Sequence, residues 1–180
     1  GQGSRLGYDG PKGKFPAGPV SGKSLFHFHG EKIYAASKRY ATVIPYLIMT
    51  SNDNHDETIA FFEDENYFGL NKNDVYFFKQ NMIPSLDDKG NLVLSGKNRL
   101  FRNPDGHGGS ITALHSSGVL KILKERGIET LSYFQVDNPL VKIIDPVFIG
   151  FHILHSADMS SKALIKAYPE EKIGVFVKFP

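Results

Sequence analysis

Residues 44–78 read IPYLIMTSNDNHDETIAFFEDENYFGLNKNDVYFF. The segment opens on an apolar run of strand length, 44–49, and Thr50-Ser51-Asn52-Asp53 then supplies the small polar residues that end a strand and start a helix. A helix is predicted over 57–65, Gly69 closes it, and 74–78 is again of strand length. Strand, helix and strand in this order predict a β-α-β unit. Phe61, Phe62, Phe77 and Phe78 are then most simply core residues.

The same alternation extends in both directions. Leu25, Phe26, Ile33, Ala36 and Tyr40 fall at helical spacing, so 25–40 is predicted as an amphipathic helix capped by Ser24. Asp87-Asp88-Lys89-Gly90-Asn91 looks like a hairpin turn between short extended pieces of 86–100. A helix is expected over 111–125, stopped at Gly127, and a buried strand over 130–136, ending at Asp137-Asn138-Pro139. Residues 145–155 read as a short helix, and 161–167 and 173–179 as strands. Strands alternating with helices argue for an α/β fold with a mainly parallel, mixed sheet.

The bulk numbers exclude several classes. At 180 residues the chain fits one domain, 1–180, able to bury a core without staples. A formal charge of +2 leaves no overall footprint for nucleic acid or an anionic membrane. Cysteine is absent, which removes disulfide frameworks, thiolate zinc sites and a cysteine nucleophile, and fits a reducing compartment. No apolar run approaches the length of a membrane span and no signal-peptide pattern opens the chain, so a cytoplasmic protein is expected. The start at Gly1-Gln2-Gly3 in place of Met gives the expectation of a fragment, with an opening strand and a C-terminal part lying outside it.

Ligands of open α/β sheets collect at the carboxyl ends of the strands, where loops converge and helix N-termini point amides inward. Three loops qualify. Residues 1–24 hold seven glycines and three prolines, with Arg5, Lys12, Lys14 and Lys23 opposed only by Asp9. Within 1–14 the glycines let backbone amides approach phosphate oxygens, which Arg5 and Lys12 would neutralise. The second loop, 104–109, is Pro-Asp-Gly-His-Gly-Gly, and its lack of side chains lets a flat base or a sugar lie against the main chain. The third carries Asp137, a carboxylate at a predicted strand end where Mg²⁺ bridging phosphates would be held.

Other suggestive patterns take plainer readings. Ser21-Gly22-Lys23-Ser24 resembles the end of a Walker A loop, but the required first glycine would fall at Ala17. His27 and His29 diverge on a helix and have no placed carboxylate partner, and His152 and His155 lack a third ligand. These four are read as surface or satisfied histidines.

An ordered series of segments carries a family resemblance. Gly1-Gln2-Gly3-Ser4-Arg5-Leu6-Gly7 with Pro11-Lys12-Gly13, then Met49-Thr50-Ser51, Phe77 to Pro84 with Gln80, Pro104-Asp105-Gly106, Val136-Asp137-Asn138 and Asp145 to Gly150 resemble segments of the eukaryotic-type UDP-sugar pyrophosphorylases. The likeness is greatest to the UDP-N-acetylglucosamine enzymes. It implies a Rossmann-like nucleotidyltransferase fold and the joining of UTP to a sugar 1-phosphate with Mg²⁺ as cofactor. It implies that Gly1, Gln2, Gly3, Arg5 and Lys12 handle the triphosphate and that Gln80 and Gly106 contact uracil. Asp137 would hold the metal, and His107 and Gly174 would border the sugar.

Two residues depart from the pattern. His107 stands where the acetylglucosamine enzymes typically have Asn, and Gly-His-Gly resembles the UDP-glucose pyrophosphorylases instead. Asn81 stands where a glycine after the glutamine is usual. N-acetylglucosamine 1-phosphate is the expected substrate, with glucose 1-phosphate and a noncatalytic nucleotide-sugar binding module as alternatives.

Overall fold

The computed structural model describes residues 1–171 and 173–178, apart from the side chain of Arg5. These residues pack as two compact units, Gly1–Ile144 and Asp145–Pro180.

The first unit is built on the predicted β-α-β. Strand β1 (Tyr46–Thr50) and strand β2 (Val75–Lys79) pair in parallel, with Tyr46 opposite Val75 and Thr50 opposite Lys79. The helices α1 (Leu25–Tyr40) and α2 (His55–Asp64) flank the pair in sequence. Ser24 caps α1 as its sequence position predicts, its hydroxyl accepting from the His27 amide at 3.2 Å. Asn54 does the equivalent work before α2 by holding the turn itself, its Oδ1 accepting from the Ser51 amide at 2.8 Å. Phe62, fully buried, is the hub of a core that joins Phe26 and Ile33 of α1 to Tyr46, Ile48 and Val75. Phe78 belongs to a second cluster with Ala113, Leu114, Val119 and Leu123. All four phenylalanines read as core are packed in or against these clusters.

Between α2 and β2 the chain makes a turn that is foreign to L-residues. Asn66, Tyr67 and Phe68 all have φ near +50° and Gly69 has φ of 80°. The left-handed backbone presses Phe68 into the core, where a Cβ on Gly30 of α1 would lie 2.8 Å from the Phe68 side chain.

Beyond β2 two short antiparallel ladders follow: β3 (Met82–Pro84) with β6 (Arg102–Pro104), and β4 (Leu94–Gly96) with β5 (Arg99–Leu100). The turn at 87–91 is present, Asp87 Oδ1 accepting from the Lys89 and Asn91 amides, and Leu86 bridges to Leu92. Sheet content is therefore mixed: among the described residues the parallel part is the β1–β2 pair.

Four expectations about elements change. The helix expected over 111–125 is two, α3 (Ser110–Ser116) and α4 (Val119–Glu125), because Gly118 adopts φ of 78° and the Ser117 hydroxyl turns back to the Leu114 carbonyl. Residues 130–136 form no strand. The apolar spacing marks burial of Phe134 and Val136 against the core, while the backbone is held by side chains, Ser132 Oγ on the Ile143 carbonyl and His29 Nε2 on the Val136 carbonyl.

In the second unit α5 (Pro146–Leu154) forms where a helix was expected, with Asp145 accepting from the Val147 and Phe148 amides. The described parts of 161–167 and 173–179 are not strands; Leu164 and Ile165 are more than 90% exposed and no ladder partner lies beside them. Phe179, the end of that second segment, lies outside the described residues.

Candidate functional site

The opening loop closes on itself. The Gly3 amide donates to the Gly10 carbonyl and the Lys12 amide to the Gly1 carbonyl, both at 2.8 Å, so that Gln2 faces Pro11 across a bridge. Gly3 is buried, and a Cβ there would meet the Tyr8 carbonyl oxygen at 2.8 Å. Gly13 is more tightly constrained, since a Cβ would lie 2.2 Å from the Phe26 ring. These glycines let the loop lie flat on the core. Its bonds leave the Gln2 and Ser4 amides without an acceptor among the described residues, free to meet an anion.

The loop directs Lys12 at Asp137. Nζ and Oδ2 are 2.8 Å apart, a contact made across 125 positions of sequence. The Lys12 ammonium holds the Asp137 carboxyl below the ordinary carboxylate value, with partial burial opposing and His107 adding to the lowering. Asp137 is thus ionised at neutral pH and only partly exposed. The next cation along, Lys14, is occupied by Glu57 and lies over the Phe61 ring, which makes it part of the loop's anchorage to α2.

The glycine-rich loop 104–109 stands beside the strand ends. Gln80 continues β2, its amide donating to the Thr50 carbonyl at 2.8 Å. The Asp105 amide donates to the Asn81 carbonyl, which joins Gln80-Asn81 to Asp105-Gly106, and Gly106 takes φ of 69° to turn into a 3-10 turn before α3. A Cβ on Gly109 would coincide with the Asp105 carboxylate, so the Asp105 side chain fills the space that this glycine leaves. His107 bonds through Nδ1 to the Tyr133 hydroxyl, with the two rings edge to face at 5.9 Å. Burial raises the Tyr133 phenol above its ordinary value, with a bond to the Ser110 side chain opposing.

Thus Gly1, Gln2, Gly3, Lys12, Asp137 and His107 lie together, and the bond from the Asp105 amide to the Asn81 carbonyl brings up their neighbours Gly106 and Gln80. Arg5 lies in the 3-10 turn Ser4–Leu6 of the same loop, with its side chain outside the described residues. Gly174 belongs to the second unit, with open space where a Cβ would be. Tyr133 is the residue that sequence reading missed. It lies in 130–136, which forms no strand, so strand periodicity carried no signal that could have found it.

The remaining motifs take structural parts. Lys23 pairs with Glu31 at 2.5 Å and Ser24 is a helix cap, consistent with the rejected Walker A reading. His29 is buried and bonded to Val136, while His152 bonds to the Ser160 hydroxyl. No cluster of three or more metal-ligating side chains occurs among the described residues. No helix among them is long and apolar enough to cross a membrane.

A glycine loop, an ammonium group and a carboxylate brought together in an α/β protein make a place suited to phosphate groups. The sequence model of the family described as UTP--glucose-1-phosphate uridylyltransferase matches residues 1–179, and the chain belongs to this family. It is 41% identical over 189 aligned residues to UDP-N-acetylglucosamine diphosphorylase 2 of Arabidopsis thaliana, covering 99% of this chain and 38% of that protein. It is 40% identical to UDP-N-acetylhexosamine pyrophosphorylase-like protein 1 of Mus musculus, covering 97% of this chain and 36% of the relative. The crystal structure of the uridine diphosphate N-acetylglucosamine pyrophosphorylase from Trypanosoma brucei superposes with a TM-score of 0.78 at 35% identity, over 87% of this chain and 34% of that one. The chain spans well under half the length of these relatives.

Proposed function

We propose that this chain is the nucleotide-binding part of a uridylyltransferase that forms a UDP-sugar and pyrophosphate from UTP and a sugar 1-phosphate. The observation that carries the reading is the Lys12–Asp137 pair, made across 125 positions and set between a flat glycine loop and the His107 loop. In the reaction an oxygen of the sugar 1-phosphate attacks the α-phosphorus of UTP. The new O–P bond forms as the bond to the β-phosphate oxygen breaks, and pyrophosphate leaves with that electron pair. Such a transfer asks little covalent chemistry of the protein; positioning and charge neutralisation supply the rate.

Lys12 faces the triphosphate, where it neutralises charge that otherwise repels the attacking phosphate. The free Gln2 and Ser4 amides, with Arg5 on the same loop, add donors to the phosphate oxygens. Gln80 and Gly106 form the uracil wall, and His107, steadied by Tyr133, borders the sugar. Mg²⁺ fits Asp137. The carboxylate is held ionised by Lys12, which bonds Oδ2, and a hard cation that keeps its waters needs only one or two carboxylates beside phosphate oxygens. When bound, Mg²⁺ screens the phosphate charges.

N-acetylglucosamine 1-phosphate is the proposed sugar, since the relatives near 40% identity are named for that sugar or for N-acetylhexosamine. Domain 1–180 is proposed as a cytoplasmic catalytic part whose remainder lies in the longer protein. The test supplies UTP and Mg²⁺ with N-acetylglucosamine 1-phosphate or glucose 1-phosphate and measures pyrophosphate. Faster release with the acetylated sugar supports the reading; faster release with glucose 1-phosphate moves the substrate and keeps the reaction. UDP-sugar binding without pyrophosphate release would replace the enzyme with a binding module, and no binding of either nucleotide would end the proposal.

A further inference from the structure

Asp137 sits in a segment that no ladder holds. The main-chain amides bonded here reach only locally, Asn138 to the Gln135 carbonyl, Val141 to the Asn138 carbonyl and Leu140 to Asn138 Oδ1. Yet the carboxylate must keep its place against Lys12, and two side chains of α1, one turn apart, reach this segment. His29, fully buried, donates from Nε2 to the Val136 carbonyl at 2.8 Å and packs its ring on Phe134 at 4.8 Å. Lys32 donates to the Pro139 carbonyl and, at 3.1 Å, to the Val141 carbonyl. The three acceptors bracket Asp137 on both sides.

The chemistry of His29 says that the bond, and not the volume, is what this position uses. A carbonyl only accepts, so Nε2 carries the proton and Nδ1 is left as a lone pair, and that nitrogen is buried without a partner. Leucine or methionine would leave no unpaired Nδ1 there, but would take the donor away from the Val136 carbonyl. Lys32 likewise spends its charge on two main-chain oxygens and pairs with no carboxylate among the described residues.

We propose that His29 and Lys32 are positioning residues that clamp segment 136–141 to α1, so that the Asp137 carboxylate stays where Lys12 and a nucleotide-bound divalent cation meet it. The role of Asp137 rests on the uridylyltransferase reading; the clamp itself does not. Groups that orient a metal ligand typically change metal affinity by about 10–100-fold when removed.

The test uses the whole chain with Lys32→Met, Lys32→Arg and His29→Leu. Mn²⁺ bound in the presence of UTP is followed by electron paramagnetic resonance, UTP binding without metal by calorimetry, and the amides of 137–141 by hydrogen exchange. Lys32→Met is expected to weaken Mn²⁺ binding about tenfold, to speed exchange at 137–141 and to change metal-free UTP binding far less, with Lys32→Arg restoring both. Variants that melt at lower temperature but bind Mn²⁺ and exchange like the parent would reduce His29 and Lys32 to packing and overturn the clamp. If His29→Leu does not fold, Lys32→Met, a partly exposed position, decides. A parent chain that takes up neither UTP nor Mn²⁺ overturns the uridylyltransferase reading, and exchange at 137–141 still decides the clamp.

Discussion

At the scale of single residues, the decisive event is that Lys12 meets Asp137. Both side chains are partly exposed, at 20% and 35%, so the pair adds little to stability, under about 1 kcal/mol. Lys12→Ala should therefore melt close to the parent while its turnover falls about 10²–10³-fold, the usual loss when one charge-stabilising donor is removed. Unchanged pyrophosphate kinetics would take Lys12 out of the phosphate site. His29 makes a different prediction. Burial first, then Lys32, lowers its pKa, with the bond to Val136 opposing, so the folded protein favours the neutral ring. The unfolded chain then binds more protons, and stability is fully present above the unfolded value of about 6.5 and declines as pH falls below it towards the folded value. Urea unfolding between about pH 7.5 and about pH 5, across that titration, should show this loss, and His29→Gln should lessen it. A residual slope is expected from His55, whose pKa is also lowered by burial. The residue types at the site, glycines, Lys12, Asp137 and His107, were legible because their chemistry is local. The Tyr133–His107 contact was not, since it depends on a segment whose conformation no local pattern records.

Secondary-structure elements show where local rules suffice and where they fail. The β-α-β of 44–78 and the capped helix α1 follow from spacing and cap residues alone, because each buries one face and ends on a residue that satisfies its free amides. The break between α3 and α4 is marked by Ser116-Ser117-Gly118, yet apolar spacing continues across it and masks the stop. Gly118→Ala tests the break: a left-handed φ of 78° penalises alanine by about 1–2 kcal/mol, which a fall in unfolding free energy would register. A stabilised variant with more helix would mean that the two pieces fuse easily. The left-handed turn at 66–69 is beyond local rules. Asn66 and Gly69 tolerate such angles, but Tyr67 and Phe68 do not, and the packing of Phe68 against Gly30, His27 and Phe62 and of Tyr67 against Phe62 helps hold them there.

For the molecule as a whole, the proposed ligand is also a stabiliser. If the converging loops bind UTP with Mg²⁺, folded chain is favoured by mass action, by about 2.7 kcal/mol at a hundred times the dissociation constant. The melting temperature should then climb with UTP concentration in the presence of Mg²⁺, and a flat series would count against the site. Sequence by itself determined the α/β class, the β-α-β at the centre of the first unit and the family, and it supplied the glycines, cation and carboxylate of the candidate site, since these depend on periodicity and on residues near one another in the chain. It did not determine which apolar runs become strands: 130–136 and the described parts of 161–167 and 173–179 have strand-like composition but no ladder, because pairing needs a partner edge and composition reports only burial. Only the tertiary structure decided that Lys12 finds Asp137 at a distance of 125 residues, that Tyr133 steadies His107, and that α1 reaches through His29 and Lys32 to the segment bearing Asp137. Each of these is a long-range contact, whose geometry arises from how the elements pack and leaves no mark in any short stretch of sequence.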